Sequence, residues 1–98
     1  SNLMKQAQRM QRQMEEGQKE LETKEFKATA GGGAVEVTLN GKRQITAVKL
    51  EKEVVDPVDI EMLQDLIVAA VNEGLKQVEE ANGALMGKMT GGLGGFPF

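Results

Sequence analysis

The segment Asp65-Leu66-Ile67-Val68-Ala69-Ala70-Val71-Asn72 contains an uninterrupted apolar run, Leu66 to Val71, inside a region that is otherwise acidic and rich in helix formers. A helix that covers one side of a sheet needs a single apolar stripe, whereas this turn is apolar nearly all round. We therefore expect it to be buried on more than one side, with something besides the chain's own sheet covering part of it.

A long helix is predicted around this segment, from Asp56 to about Ala81 or onward into Leu85. Asp56 is the expected N-cap, with Pro57 at the first helical position and Asp59 and Glu61 in the first turn. Because helix initiation accounts for these acids, a metal site is the weaker interpretation. We expect no bound metal or other cofactor.

Two apolar rows follow that helix at 100° per residue. The broad row should cover the sheet, and it contains Ile60, Leu63, Ile67, Ala70, Val71, Gly74, Leu75, Val78 and Ala81. A second row of Met62, Leu66 and Ala69 lies about 100° away. Since one sheet protects only the broad row, the second row is left for the first helix or for another protomer, and we predict a dimer interface there.

Three strands are predicted upstream. Residues 24–30 form the first, around Phe26, Ala28 and Ala30; Val35, Val37 and Leu39 alternate with polar residues in the second. The glycines at 31–33 lead into a strand rather than a helix, so a hairpin connection is favoured over a phosphate-binding loop.

Asn40-Gly41 predicts a turn between the second and third strands. A two-residue turn would mix the two faces of the sheet, so a three-residue loop is favoured, which pairs Val37 with Ile45 and Leu39 with Arg43. Val48 and Leu50 then fall out of phase with Ile45. This mismatch predicts a bulge or strong twist near Ala47, or else a second buried face.

Residues 2 to about 22 are predicted to form the first helix. An apolar seam recurs along it at spacings of four and three, as Leu3, Ala7, Met10, Met14, Gly17 and Leu21. Lys5, Arg9 and Arg12 fall together on the opposite face and are called the basic ridge below. A solvated outer face would explain the basic ridge, but phosphate contact is the sharper hypothesis, because no acid occurs before Glu15.

Charge is segregated along the chain, although the net charge is only -3. Residues 1–14 carry three bases and no acid, whereas residues 51–82 carry nine acids and two bases. A polyanion must therefore meet the first helix or the strands, since the acidic helix would repel it. Lys42 and Arg43 are ordinary turn charges or, alternatively, secondary phosphate contacts.

Composition excludes several classes of site. The chain has no His and no Cys, which removes imidazole and thiolate metal sites, the Cys nucleophile and disulfides. We find no arrangement of carboxylates, lysines or threonines that suggests an enzyme or a small-molecule substrate. No secretory pattern opens the sequence and no apolar run could span a membrane, so a cytoplasmic protein without a membrane partner is expected.

Several motifs, in this order and spacing, resemble the YbaB/EbfC family of nucleoid-associated proteins. They are Met4-Lys5-Gln6-Ala7-Gln8, Gly31-Gly32-Gly33-Ala34-Val35-Glu36-Val37, Asn40-Gly41, Val48-Lys49-Leu50, Val54-Val55-Asp56-Pro57 and 62–72. The resemblance covers about 3–93. It implies a tweezer-like homodimer, with a shared core and projecting helical arms, that binds duplex DNA in the bacterial nucleoid and has no enzymatic activity.

The sequence thus predicts an α+β domain, residues 1–82, of one helix, a three-stranded antiparallel sheet and a long helix, followed by a mobile Gly/Met-rich tail, 83–98. The expected function is backbone binding of duplex DNA by Lys5, Arg9 and Arg12 of paired first helices, with Lys42 and Arg43 as secondary contacts. The alternative is a protein-interaction module that docks a partner on the Met-rich seam, to which DNA binding is incidental.

Overall fold

The fold is described from a computed structural model, which defines residues 2–91 of the chain and the side chains of 2–88. The elements are α1 (Asn2–Thr23), β1 (Phe26–Ala30), β2 (Val35–Leu39), β3 (Ile45–Leu50), a 3₁₀ turn (Lys52–Val54) and α2 (Ile60–Gly91). The predicted α+β order of one helix, three strands and a long helix is confirmed.

The three strands form one antiparallel sheet in the order β1-β2-β3. Apolar residues of β1 and β2 lie directly opposite one another, in the pairs Phe26–Leu39, Ala28–Val37 and Ala30–Val35. Paired residues project from the same face of a sheet. That face forms the core, where all of these side chains are buried except Ala30, which is half-buried.

The hairpin between β2 and β3 differs from the predicted register. Leu39 pairs with Ile45 instead of Arg43, and Val37 pairs with Val48 instead of Ile45. The loop is longer because Asn40 organises it: its Oδ1 accepts hydrogen bonds from the Lys42 and Gln44 N–H groups at 2.8 and 3.2 Å. The Asn40 side chain therefore fixes a five-residue loop, 40–44, where the sequence predicted three residues.

An irregularity near Ala47 was predicted, and a β-bulge is found there. Leu39 pairs with Ile45 and Thr38 with Ala47, so Thr46 is an extra residue without a register partner on β2, and its Oγ1 donates a hydrogen bond to the Thr38 carbonyl at 3.3 Å. The extra residue changes the phase of β3. Ile45, Val48 and Leu50 consequently project from the same face as the core residues of β2.

Helix α2 begins later than predicted, and its N-cap is Asp59 instead of Asp56. The Asp59 Oδ1 accepts a hydrogen bond from the Met62 N–H at 3.2 Å, which is the bond expected of an N-cap side chain. Asp56 instead shapes the preceding turn, since its Oδ1 accepts from the Val58 N–H at 2.9 Å. Pro57 therefore lies in this turn rather than in the helix.

The broad row of α2 covers β1 and β2. Ala70 and Val78 are fully buried, and Gly74 leaves room for the Leu39 side chain. Five further members are half-buried against the core, namely Leu63, Ile67, Val71, Leu75 and Ala81. Ile60 does not belong to the buried face, because 55% of it is exposed at the start of the helix.

Helix α2 continues to Gly91, through the first part of the segment that was assigned to a tail. The rest of that segment, 92–98, lies outside the described residues. Beyond the sheet, α2 packs on α1, and Leu85 lies against Gly17.

The molecule is elongated, with principal dimensions of 68 × 28 × 15 Å. Its radius of gyration is 18.9 Å, compared with about 13 Å for a compact domain of this length. Helix α1 has no buried residue; its half-buried residues, Met10, Met14, Gly17 and Leu21, all belong to the apolar seam. The pair of α1 and the C-terminal part of α2 therefore projects from the sheet as a thin arm.

Candidate nucleic-acid interface

The basic ridge lies on the solvent side of the arm. Lys5, Arg9 and Arg12 are all exposed, and they occupy the α1 face opposite the half-buried seam. Within residues 2–91 none of the three forms an ion pair with a carboxylate. Their seven-residue span corresponds to about 10 Å along the helix axis. These three cations can therefore contact a polyanion without first breaking an internal bond.

The charge on this α1 face reverses toward the sheet. Glu16 and Glu20 follow Arg12 at spacings of four, so they lie on the same side of the helix as the basic ridge. Both are exposed. A polyanion that meets α1 is thus attracted to the first three turns and repelled nearer the sheet. The geometry favours contact by the tip of the arm.

Lys42 and Arg43 lie elsewhere, in the loop between β2 and β3. This loop touches the base of α1, and the Lys42 Nζ lies 4.0 Å from the Glu22 carboxylate. Glu22 is ten residues beyond Arg12, which is about 15 Å along the helix. Acidic residues of α1 separate the two groups, so the structure does not bring Lys42 and Arg43 together with the basic ridge.

Arg43 has an unusual backbone conformation. Its φ is +63°, and no other non-glycine residue among those described has a positive φ. Left-handed backbone costs an ordinary side chain about 1 to 2 kcal/mol. The Asn40 hydrogen bonds that close the loop impose this conformation on Arg43.

The second row of α2 is partly covered by the chain itself. Leu66 is half-buried and lies over the turn between β1 and β2, where a Cβ on Gly31 would be 3.0 Å from the Leu66 Cδ2. Met62 and Ala69 are exposed. Only these two members of the predicted dimer interface are largely free for another protomer.

A larger uncovered apolar surface lies on β3, and the sequence did not predict it. Ile45, Val48 and Leu50 are 48%, 51% and 39% exposed although they share the core face of the sheet. They are called the β3 face below. Helix α2 packs over β1 and β2 and leaves this third of the sheet open. The only signal in the sequence was the phase mismatch that the bulge resolves.

The structural role of Gly41 was also not predicted from the sequence. Its φ is not positive, so the loop geometry does not require glycine there. A Cβ at this position would overlap the backbone carbonyl of Leu21 in α1. Glycine is needed because the loop touches the helix backbone, a contact between residues distant in the sequence that leaves no local pattern.

The other surfaces of the described region offer little that would bind a ligand. The outer face of the sheet carries a shallow, open depression of about 480 Å³. Lysines and glutamates both line it, so its charges are mixed, and they include the cross-strand pair Glu36 and Lys49. Within residues 2–91 no three carboxylates are grouped closely enough to hold a metal ion. Neither described helix has an apolar stretch sufficient to cross a bilayer.

Comparison with known proteins identifies a related family. The model of the YbaB/EbfC DNA-binding family matches residues 1–93. A nucleoid-associated protein of Agathobacter rectalis is 68% identical over 95 residues, which are 97% of this chain and 84% of the relative. Another, from Clostridium acetobutylicum, is 60% identical over 93 residues, which are 95% of this chain and 83% of the relative.

A solved structure shares the fold. The crystal structure of an uncharacterized protein from Helicobacter pylori superposes with a TM-score of 0.76 and covers 90% of this chain and 92% of its own. The two sequences are 24% identical. This similarity shows a shared α+β fold and, at that identity, carries no information on function.

Proposed function

Because this chain belongs to the YbaB/EbfC DNA-binding family, we propose that it is a nucleoid-associated protein whose homodimer grips duplex DNA between two α1 arms. The observation that carries the proposal is the basic ridge. Three cations lie on the exposed side of a projecting arm, and acids begin only nearer the sheet. Phosphate contact at the arm tips follows from this arrangement.

The gripping mechanism needs two copies of the chain. The β3 face is the surface that we expect the second copy to cover. Three apolar side chains extend the core beyond the edge of α2. A two-fold interface uses the same patch on both chains, so two β3 faces can cover one another. The second row of α2 is the alternative interface, but Leu66 already packs on its own chain.

Binding to the DNA backbone is favoured over recognition of a strict sequence. The exposed face of α1 offers arginines and glutamines, which can reach phosphates as well as bases, and no recognisable base-reading motif. Paired arms bring six ridge cations to the duplex, three from each chain. With this mechanism, the proposed location of the protein is the cytoplasm, on the bacterial nucleoid.

Charge reversal tests the basic ridge. The double variant Arg9→Glu/Arg12→Glu should lose at least tenfold in affinity for a duplex of mixed sequence, because contacts with phosphates become repulsive. The matched control is Lys52→Glu/Lys76→Glu, which changes the net charge by the same amount at exposed positions outside α1. If both double variants lose affinity equally, net charge rather than the basic ridge governs binding.

A protein-interaction module is the second candidate function. It is favoured by the exposed start of the apolar seam, where 78% of Leu3 is accessible. A partner helix could extend the packing that α2 provides further along α1. Titration of duplex DNA at two salt concentrations separates the candidates: negligible affinity even at low salt supports the interaction module and contradicts the DNA grip.

A further inference from the structure

Helix α1 is held to the rest of the protein by few contacts. It has no fully buried residue, and its ion pair with the loop, Lys42 to Glu22, is exposed and weak. Two glycines make the close approaches. Gly41 lies against the Leu21 carbonyl near the C-terminal end of α1, and Gly17 receives the Leu85 side chain one turn earlier.

The two glycine contacts differ in whether the neighbouring group can move aside for an added side chain. At position 17 a Cβ would lie 2.8 Å from the Leu85 Cδ1, and a rotation of that side chain could relieve the overlap. At position 41 a Cβ would overlap the backbone of Leu21 and lie 2.9 Å from the Glu22 nitrogen. Backbone atoms of a helix cannot move alone, so a side chain at 41 must displace either α1 or the loop.

The spacing of these contacts makes α1 a lever. Gly17 is about 6 Å from Leu21 along the helix axis, whereas Lys5 is about 18 Å beyond Gly17 in the other direction. Restoring an ordinary contact distance of about 3.5 Å at Gly41 needs a shift of about 1.5 Å at the base of α1. With Gly17 as the fulcrum, Lys5 would swing by about 4.5 Å and Arg12 by about 2 Å.

We propose that Gly41 is a positioning residue: its missing side chain sets the angle of α1 and hence the gap between the two basic ridges. The inference rests on the proposed DNA grip, but Gly41 itself touches no DNA in it. A gap that no longer matches the duplex loses phosphate contacts at one or both arms. The glycine of the hairpin loop thus controls affinity from the opposite end of the arm.

The test measures arm position and affinity in the dimer. Because the chain has no Cys, a single Gln8→Cys places one spin label on each α1, and electron dipolar spectroscopy gives the distance between the arms. Gly41→Ala should change this distance by several ångströms and, in the unlabelled protein, lower affinity for duplex DNA by about three- to tenfold, as expected for the loss of a few phosphate contacts.

Gly83→Ala is the matched control, since a Cβ at this helical position meets no atom within 4 Å. It should change neither the distance nor the affinity. An unchanged distance in Gly41→Ala means that the loop gives way and overturns the inference. A changed distance with wild-type affinity overturns it as well. Failure of the wild-type protein to bind DNA contradicts the proposed function instead, while the distance still tests the lever.

A second variant keeps the test decisive if Gly41→Ala does not fold. Leu85→Ala removes the side chain that contacts Gly17 and leaves the loop intact. Without its fulcrum, α1 should show a broader distribution of distances between the arms and a similar loss of affinity. An unchanged distribution contradicts the lever.

Discussion

Single polar side chains decide where the elements of this protein begin and end. Asp56 and Asp59 both precede α2, and the sequence favoured Asp56 as the cap because Pro57 suits a first helical position. The hydrogen bond from the Met62 N–H goes to Asp59 instead. Asp56 serves the turn, so two acids that are similar in sequence have different structural roles.

The two aspartates should differ in their contribution to stability. Asp59→Ala is expected to lower the free energy of unfolding by about 1 kcal/mol, the usual effect of losing an N-cap. Asp56→Ala loses only an exposed turn hydrogen bond and should cost about half as much. Urea denaturation of both variants measures the difference; a larger loss for Asp56→Ala would restore the cap to Asp56.

Arg43 allows a second test at the level of one residue. Its left-handed φ suits glycine better than arginine, so Arg43→Gly should raise the free energy of unfolding by about 0.5 to 1 kcal/mol. Lys42→Gly, in the same loop without a positive φ, should be destabilising. Urea denaturation gives the free energy of unfolding of both variants. If both values fall below that of the wild type, the Arg43 backbone is not strained.

At the level of elements, local patterns predicted much of the fold. Alternation in Val35, Val37 and Leu39 indicated the core face of β2, and the broad row identified the side of α2 that covers the sheet. Such patterns repeat within a few residues and need no knowledge of the tertiary structure. The same kind of spacing placed Lys5, Arg9 and Arg12 on one exposed face.

Other features could not be predicted, because they depend on contacts that no local pattern encodes. Asn40 lengthens the loop through hydrogen bonds of its side chain and thereby changes the pairing of β3. The exposure of Ile45 and Val48 depends on where α2 crosses the sheet. Gly41 is required by a helix backbone twenty residues earlier in the chain.

The extent of α2 gives a prediction at this scale. Gly83 lies inside the helix as described, whereas the sequence left it either within the last turns of the helix or at the start of a mobile tail. Gly83→Ala should therefore stabilise the protein by up to about 1 kcal/mol, the difference between the helix propensities of the two residues. Helical content from circular dichroism and the urea midpoint should both rise; no change in either would indicate that the helix does not persist here.

For the whole molecule, the proposed homodimer places the contact between its two chains on the uncovered β3 face. If that dimer forms, Val48→Glu should convert it into a folded monomer, because Val48 is half exposed in the protomer and its replacement leaves the core intact. Leu66→Glu should instead destabilise the protomer, since Leu66 packs on the turn at Gly31. Light scattering with circular dichroism distinguishes these outcomes.

The opposite result identifies the other interface. A dimer that survives Val48→Glu and dissociates with Leu66→Glu places the contact on the second row of α2. The apolar run 66–71, in which Leu66 lies, is partly buried by the chain's own sheet and turn, so we infer that the β3 face is the larger apolar surface left for a second copy.

In the proposed DNA grip, the six cations of two basic ridges neutralise DNA phosphates, and the salt dependence of binding is the sharpest measure of that neutralisation. The logarithm of the association constant should fall with the logarithm of salt concentration at a slope of about -5 for wild-type protein. Arg9→Gln/Arg12→Gln removes four of the six cations from the dimer and should reduce the slope to about -2. A slope that stays near the wild-type value in this variant would contradict phosphate binding by the basic ridges.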